Sequence, residues 1–148
     1  MIEVYTDGSC LHNPGPGGWA AKCYDPEFVV EGGFHMSTNN IMEMTAVIRA
    51  LEHCLMINEK DVIIYTDSRY VKMGVTEWSK KWRANGWKTS TGVDVANKPL
   101  WVKMFELIDH MNLVTIEWVK AHSTNAKNNE VDALARRQAH NFSVINNE

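Results

Sequence analysis

The chain has 148 residues and 16.9 kDa, and a domain of that length buries roughly 70% of the surface its unfolded chain exposes, so one domain over residues 1–148 is expected. With 45% hydrophobic and 22% charged residues, the composition excludes disorder and a disulfide-stapled mini-protein. The formal net charge of -3 speaks against a polyanion partner until it is divided along the chain: residues 69–88 carry Arg69, Lys72, Lys80, Lys81, Arg83 and Lys88 against Glu77 alone, a local +5 that leaves -8 for the remainder.

IEVYT (residues 2–6) alternates and is β-branched or aromatic, which predicts a strand ending at Asp7-Gly8. NPGPGG (13–18) is turn chemistry, and 19–24 and 28–34 read as two further strands, separated by Asp25-Pro26, that complete an antiparallel meander. The period then changes. Met44, Ile48, Leu51 and Leu55, with Val47 and Cys54 beside them, follow the spacing of a helix face. DVIIYT (61–66) predicts a strand covered on both faces. Helical segments are expected near 68–73, 76–84 and 99–111, the last with Pro99 in its first turn. LVTIEWV (113–119) predicts a fifth strand and 131–140 a closing helix. The order implies an α/β fold, a five-stranded mixed sheet flanked by helices.

No apolar run approaches the ~20 residues of a membrane span, and MIEVYTDGS lacks the basic start and apolar stretch of a signal peptide, so a cytoplasmic protein with no membrane partner is expected. Cys10, Cys23 and Cys54 are odd in number and show no CxxC spacing, which predicts reduced thiols rather than disulfides or a zinc site.

Four acids stand where elements begin or end. Taken singly, each has an ordinary reading: Asp7 as a turn residue before glycine, Glu43 as the partner of Asn40 in a capping box, Asp67 as the cap of the next helix, and Asp132 as an acid near a helix start. Those readings do not predict where the four meet. If the first and fourth strands are parallel neighbours, all four converge at one end of the sheet, where open α/β sheets place their sites. Carboxylates that close repel unless cations hold them. Oxygen ligands without cysteine select Mg²⁺ or Mn²⁺ over zinc. Two such ions ~3.5–4 Å apart serve an in-line phosphoryl displacement.

TEWSKKWRANGWKT (76–89) interleaves Trp78, Trp82 and Trp87 with basic residues. Trp78 and Trp82, four apart, share a helix face and read equally as packing, and a charge run is ordinarily solvated surface. With the loop at Asn85-Gly86, the segment also reads as a protruding helix-loop suited to stacking on sugars and holding phosphates. His122, in the polar KAHSTNAKNNE loop ahead of the Asp132 helix, is placed to carry protons to the acids.

The strings TDGSCLHNPGPGGWA (6–20), TNNIMEM (38–44), YTDSRYV (65–71), WSKKWRANGWKT and WVKAHSTNAKNNEVDALAR (118–136) resemble, in order and spacing, the type 1 ribonucleases H, from about Ile2 to Ala139. The resemblance implies a ribonuclease H-like fold and endonucleolytic cleavage of the RNA strand of RNA/DNA hybrids, giving 5′-phosphate and 3′-hydroxyl ends; a monomer is expected. It implies that Asp7 bridges two Mg²⁺ ions, that Glu43 and Asp67 serve the leaving-group metal and Asp132 the water-activating one, and that His122 assists turnover. It also implies that Asn13, Asn39 and Asn40 contact the hybrid in its minor groove. Trp82, Thr89, Thr38 and Asn97 match the DNA-strand side, with Trp78, Lys80 and Lys81 beside them. RNA is distinguished from DNA by its 2′-hydroxyls.

The chain departs from that pattern at several positions. Arg69 stands where some relatives have Gln, Met36 and Ile41 where Arg is common, and His12 and Ala121 where glycines are usual. Asn129 occupies the place of the product-release acid. Transposases and junction resolvases share the fold, but lack the TDGS-NPG and WSKKWRANGWK elements. A catalytically silent nucleic-acid-binding module is disfavoured by the presence of all four acids with His122.

Overall fold

A computed structural model describes residues 1–121 and 124–145, with only the backbone described at 144 and 145. Five strands, β1 (Ile2–Cys10), β2 (Gly15–Tyr24), β3 (Glu27–Ser37), β4 (Asp61–Thr66) and β5 (Leu113–Trp118), form one sheet in the order β3-β2-β1-β4-β5. The first three strands are the expected antiparallel meander, and β4 joins β1 in parallel, as does β5 to β4. β4 buries Val62, Ile64 and Thr66 and leaves the alternate positions half-buried, so its cover is uneven where the continuous apolar run predicts burial on both faces.

α1 (Asn39–Met56) packs on β1, β2 and β3. Its predicted apolar face is the buried one, through Met44, Val47, Ile48, Leu51 and Cys54. α5 (Ala126–Ile145) packs against the same three strands, and α4 (Lys98–His110) packs on α1. Two glycines set how closely the long helices approach. A Cβ on Gly8 would lie 2.3 Å from the Glu43 nitrogen of α1, and one on Gly18 would lie 2.1 Å from the Ala135 carbonyl oxygen of α5. These are backbone contacts that any side chain would block.

Between β4 and α4 the chain runs through α2 (Arg69–Met73), a π-helical turn (Gly74–Trp78) and α3 (Ser79–Ala84). Trp78, Trp82, Trp87 and Trp101 join Tyr70 and Phe105 in a chain of ring contacts with centroids 5.3 to 6.4 Å apart. Trp101 is fully buried at its centre and donates from its indole N–H to the Tyr70 hydroxyl at 3.2 Å. Packing therefore accounts for much of the tryptophan stripe.

Several boundaries differ from the sequence expectation. β1 does not end at Asp7-Gly8 but continues to Cys10, because β2 pairs with it as far as Cys10↔Gly17. β2 starts at Gly15 inside the glycine-rich run. α5 starts at Ala126, ahead of the expected 131, since AKNNE offers no apolar period to read. Among the described residues, the three cysteines are free thiols, and no helix is long and apolar enough to cross a membrane.

Candidate metal centre

The parallel register that pairs Ile2 with Val62 and Tyr5 with Tyr65 stops there. Beyond it β1 continues beside β2 alone, while β4 ends at Thr66, so the sheet opens at the carboxyl end of its central parallel pair. Asp7 and Asp67 stand at that opening. Asp7 is buried, with 2% of its surface exposed, and Asp67 is half-buried. The Thr6 hydroxyl donates to the Tyr65 carbonyl at 3.0 Å, and the Trp118 indole donates to the Asp67 carbonyl at 3.1 Å. Those bonds hold both strand ends in place.

Glu43 enters from α1. It does not close a capping box with Asn40: the cap is Thr38, whose hydroxyl accepts from the Ile41 N–H at 3.2 Å. The Glu43 carboxylate accepts instead from the Gly8 N–H at 2.6 Å, while the same N–H donates to Asp7 Oδ1 at 2.9 Å. Asp67 is likewise no cap, because Ser68 accepts from the Val71 N–H. Two ordinary readings of these acids are thereby overturned.

Oxygen atoms of Asp7, Glu43 and Asp67 lie within 4.8 Å of one another. Burial, then the charge of Asp67 and the neighbouring Asp132, pushes the Asp7 carboxyl up to about 9. Burial, followed by Asp7 and Asp67, raises Glu43 well above the usual carboxylate range. Asp132 thus reaches the cluster through Asp7, while its own carboxylate is ion-paired with Arg136 one turn along α5. Asp7 Oδ2 is buried with no hydrogen-bond donor. A buried acceptor without a donor is costly. Here it sits in an all-oxygen set, which fits a hard divalent cation.

The remaining sequence-predicted residues surround this centre in part. Asn13 Oδ1 accepts from the Asn39 N–H, and Asn39 Oδ1 from the Cys10 N–H, each at 3.1 Å, so these two tie the β1–β2 loop to the start of α1; Asn40 is exposed beside them. Thr89 Oγ1 hydrogen-bonds with Thr91 Oγ1 at 3.0 Å. Asn97 holds a left-handed backbone (φ 60°) before α4 and donates to the Tyr70 hydroxyl at 3.1 Å. Trp78 is 39% exposed and Trp82 half-buried, while Lys80 and Lys81 are exposed on α3. His122 lies outside the described residues.

The basic stripe is thinner than its sequence. Arg83 is ion-paired with Asp109 at 2.7 Å and Lys88 with Asp94 at 3.0 Å, two acids that lie beyond the stretch. Sequence reasoning did not anticipate Gly8 or Trp118 as groups that orient Glu43 and Asp67. TDGS carried the only signal for the first, and nothing in local spacing points to the second.

The fold and the acids together define a carboxylate-centred nuclease. The sequence matches the family model described as RNase H over residues 1–140. The chain belongs to the ribonuclease H family. It is 47% identical over 141 residues to the Ribonuclease H of Nitratidesulfovibrio vulgaris, covering 93% of this chain and 88% of that one. Its identity to the Ribonuclease H of Cyanothece sp. is 45% over 141 residues, covering 92% and 87%. The solved structure of LC9-RNase H1, a type 1 RNase H with the type 2 active-site motif, matches with a TM-score of 0.76 at 29% identity, over 95% of this chain and 72% of that one.

Proposed function

We propose that the chain is a single-domain, monomeric, cytoplasmic endoribonuclease that hydrolyses the RNA strand of RNA/DNA hybrids with two Mg²⁺ ions, for which Mn²⁺ substitutes, leaving 5′-phosphate and 3′-hydroxyl ends. The observation that carries this reading is the donor-free Asp7 Oδ2 within the Asp7, Glu43 and Asp67 cluster, in a chain of the ribonuclease H family. When bound, the ions supply an activated water and neutralise charge at the scissile phosphate.

The chain's own residues do the rest. Asp7, Glu43 and Asp67 would hold one ion through their clustered carboxylate oxygens, and Asp7 would also contribute to the second. Asp132 serves the second, with Arg136 holding its carboxylate in place. The Gly8 N–H aims Glu43 and Asp7 together. His122 carries the proton during turnover. Away from the chemistry, Lys80 and Lys81 neutralise backbone phosphates. Trp82 and Trp78 face the DNA-strand sugars, and Thr38, Thr89 and Asn97 line the phosphate contacts of that strand. Asn13, Asn39 and Asn40, on the connected β1–β2 and α1 ends, meet the minor groove and its 2′-hydroxyls.

The experiment is cleavage of an end-labelled RNA/DNA hybrid beside single-stranded RNA and duplex DNA, with and without Mg²⁺. Metal-dependent cutting of the hybrid's RNA strand alone is expected. Equal cutting of all three substrates, or no metal dependence, would overturn the reading.

A further inference from the structure

Four of the five arginines are ion-paired: Arg49 with Glu52, Arg83 with Asp109, Arg136 with Asp132 and Arg137 with Glu31. Arg69 is different. Among the described residues no carboxylate pairs with it, and its guanidinium lies over the Trp118 ring, 4.5 Å from the centroid. Trp118 in turn donates to the Asp67 carbonyl at 3.1 Å. A cation two residues from a candidate metal ligand is therefore held on the indole that anchors that ligand's backbone.

The surroundings add charge rather than cancel it. Arg69, Lys72, Met73 and Trp118 line a recess of about 280 Å³ that includes no acid. The Lys72 ammonium donates to the Ile116 carbonyl at 2.6 Å, which pins it along β5 without neutralising it. A guanidinium resting on a ring face keeps its in-plane N–H groups for another acceptor, in the fork geometry that suits phosphate oxygens.

We infer that Arg69, backed by Trp118 and Lys72, is a substrate-binding residue that grips a backbone phosphate of the cleaved strand beside the one at the acid cluster. This inference rests on the proposed function for the identity of the strand. Its chemical content is a phosphodiester held by a stacked guanidinium at the α2 start, on the β5 side of Asp67. Arg69 then acts on affinity and register, not on the reacting atoms.

The test uses Arg69→Met, which keeps an unbranched side chain over the indole without charge, and Arg69→Lys, which keeps the charge without the fork. Binding of a fluorescent RNA/DNA hybrid is followed by anisotropy across a KCl series in the absence of divalent metal. Arg69→Met is expected to show a slope shallower than the parent's by about one unit of log K per log [salt], as for one phosphate left without its cation. Arg69→Lys should keep the parent's slope while binding several-fold more weakly.

A second measurement replaces RNA phosphates near the cleavage site, one at a time, by uncharged methylphosphonates. One position is expected to weaken the parent several-fold and leave Arg69→Met unchanged. An unchanged slope in Arg69→Met, or equal losses in both proteins at every position, would overturn the inference. Hybrid binding without any metal-dependent cleavage by the parent would overturn the proposed function and leave the Arg69 result standing on the slopes.

Discussion

The Gly8 N–H and the Glu43 carboxylate meet at 2.6 Å, and the contact is possible because Gly8 has no side chain to hold α1 away. One residue of β1 thus sets both the hydrogen bond that aims Glu43 and the depth at which its helix lies on the sheet. Glycine at this point of TDGS is a spacing requirement rather than a turn signal.

Replacing that glycine makes the first prediction. In Gly8→Ala the new Cβ would stand 2.3 Å from the Glu43 nitrogen and from the Met42 carbonyl carbon, so the helix must lift. Overpacking of this kind costs about 1–3 kcal/mol. Urea denaturation is expected to show that loss, and the cleavage rate to fall further than the folded fraction does, because Glu43 moves with its helix. Parent-like kinetics would show that the Gly8–Glu43 hydrogen bond does not position the acid.

Asp7→Asn is expected to abolish cleavage and keep the fold. The unfolded Asp7 carboxyl ionises near 3.8, whereas in the folded chain burial, Asp67 and Asp132 push it up to about 9. Between those values the folded chain holds a proton that the unfolded chain has lost. The metal-free stability contribution of this group is therefore full at the acid end and declines as pH rises toward 9. Thermal melts in chelator from pH 5 to 9 should show that decline in the parent and a flatter profile in Asp7→Asn. Mn²⁺ should raise the parent's Tm by binding the folded state and should act weakly on the variant.

Among the described residues, the basic stripe divides into exposed cations without ion pairs (Arg69, Lys80 and Lys81), cations held by acids (Arg83 and Lys88), and Lys72, half-buried on the Ile116 carbonyl. Replacing Lys80 and Lys81 together by Ala should lower the salt slope of hybrid binding by up to about 0.9 for each phosphate that the pair neutralises. Arg83→Ala should do little to that slope, because its guanidinium is spent on Asp109 and the Phe105 ring. Its cost is in stability, about 0.2–1 kcal/mol for a surface pair. A slope change for Arg83→Ala as large as for the lysine pair would reverse the division.

Alternation exposed β1 and helical spacing the α1 face, because a strand repeats at 2.0 and a helix at 3.6 residues, whereas β4 was legible as a continuous apolar run whose alternate burial that run did not foretell. Convergence of the acids was also legible, since it follows from one assumption, parallel pairing of β1 with β4. The misses differ in cause. Gly8, Gly15, Gly17 and Gly18 read locally as turn residues, yet they sit in strands because the sheet pairs through them. Thr38 rather than Asn40 caps α1, a choice made by one hydroxyl at 3.2 Å. Arg83, Lys88 and Arg69 look alike in a charge count. Their different fates depend on Asp109, Asp94 and Trp118, residues that only the folded chain brings near.

Gly8 and Gly18 have a joint effect on how the site tolerates change elsewhere. Gly8 stands one register position from Gly18, across the β1–β2 ladder, and each lets a helix, one bearing Glu43 and the other Asp132, come to main-chain contact with the sheet. Peptide groups have the same thickness in every protein. The separation between the two acid-bearing helices is therefore gauged by backbone at this point, and the side chains that fill the core farther along can be exchanged without resetting it.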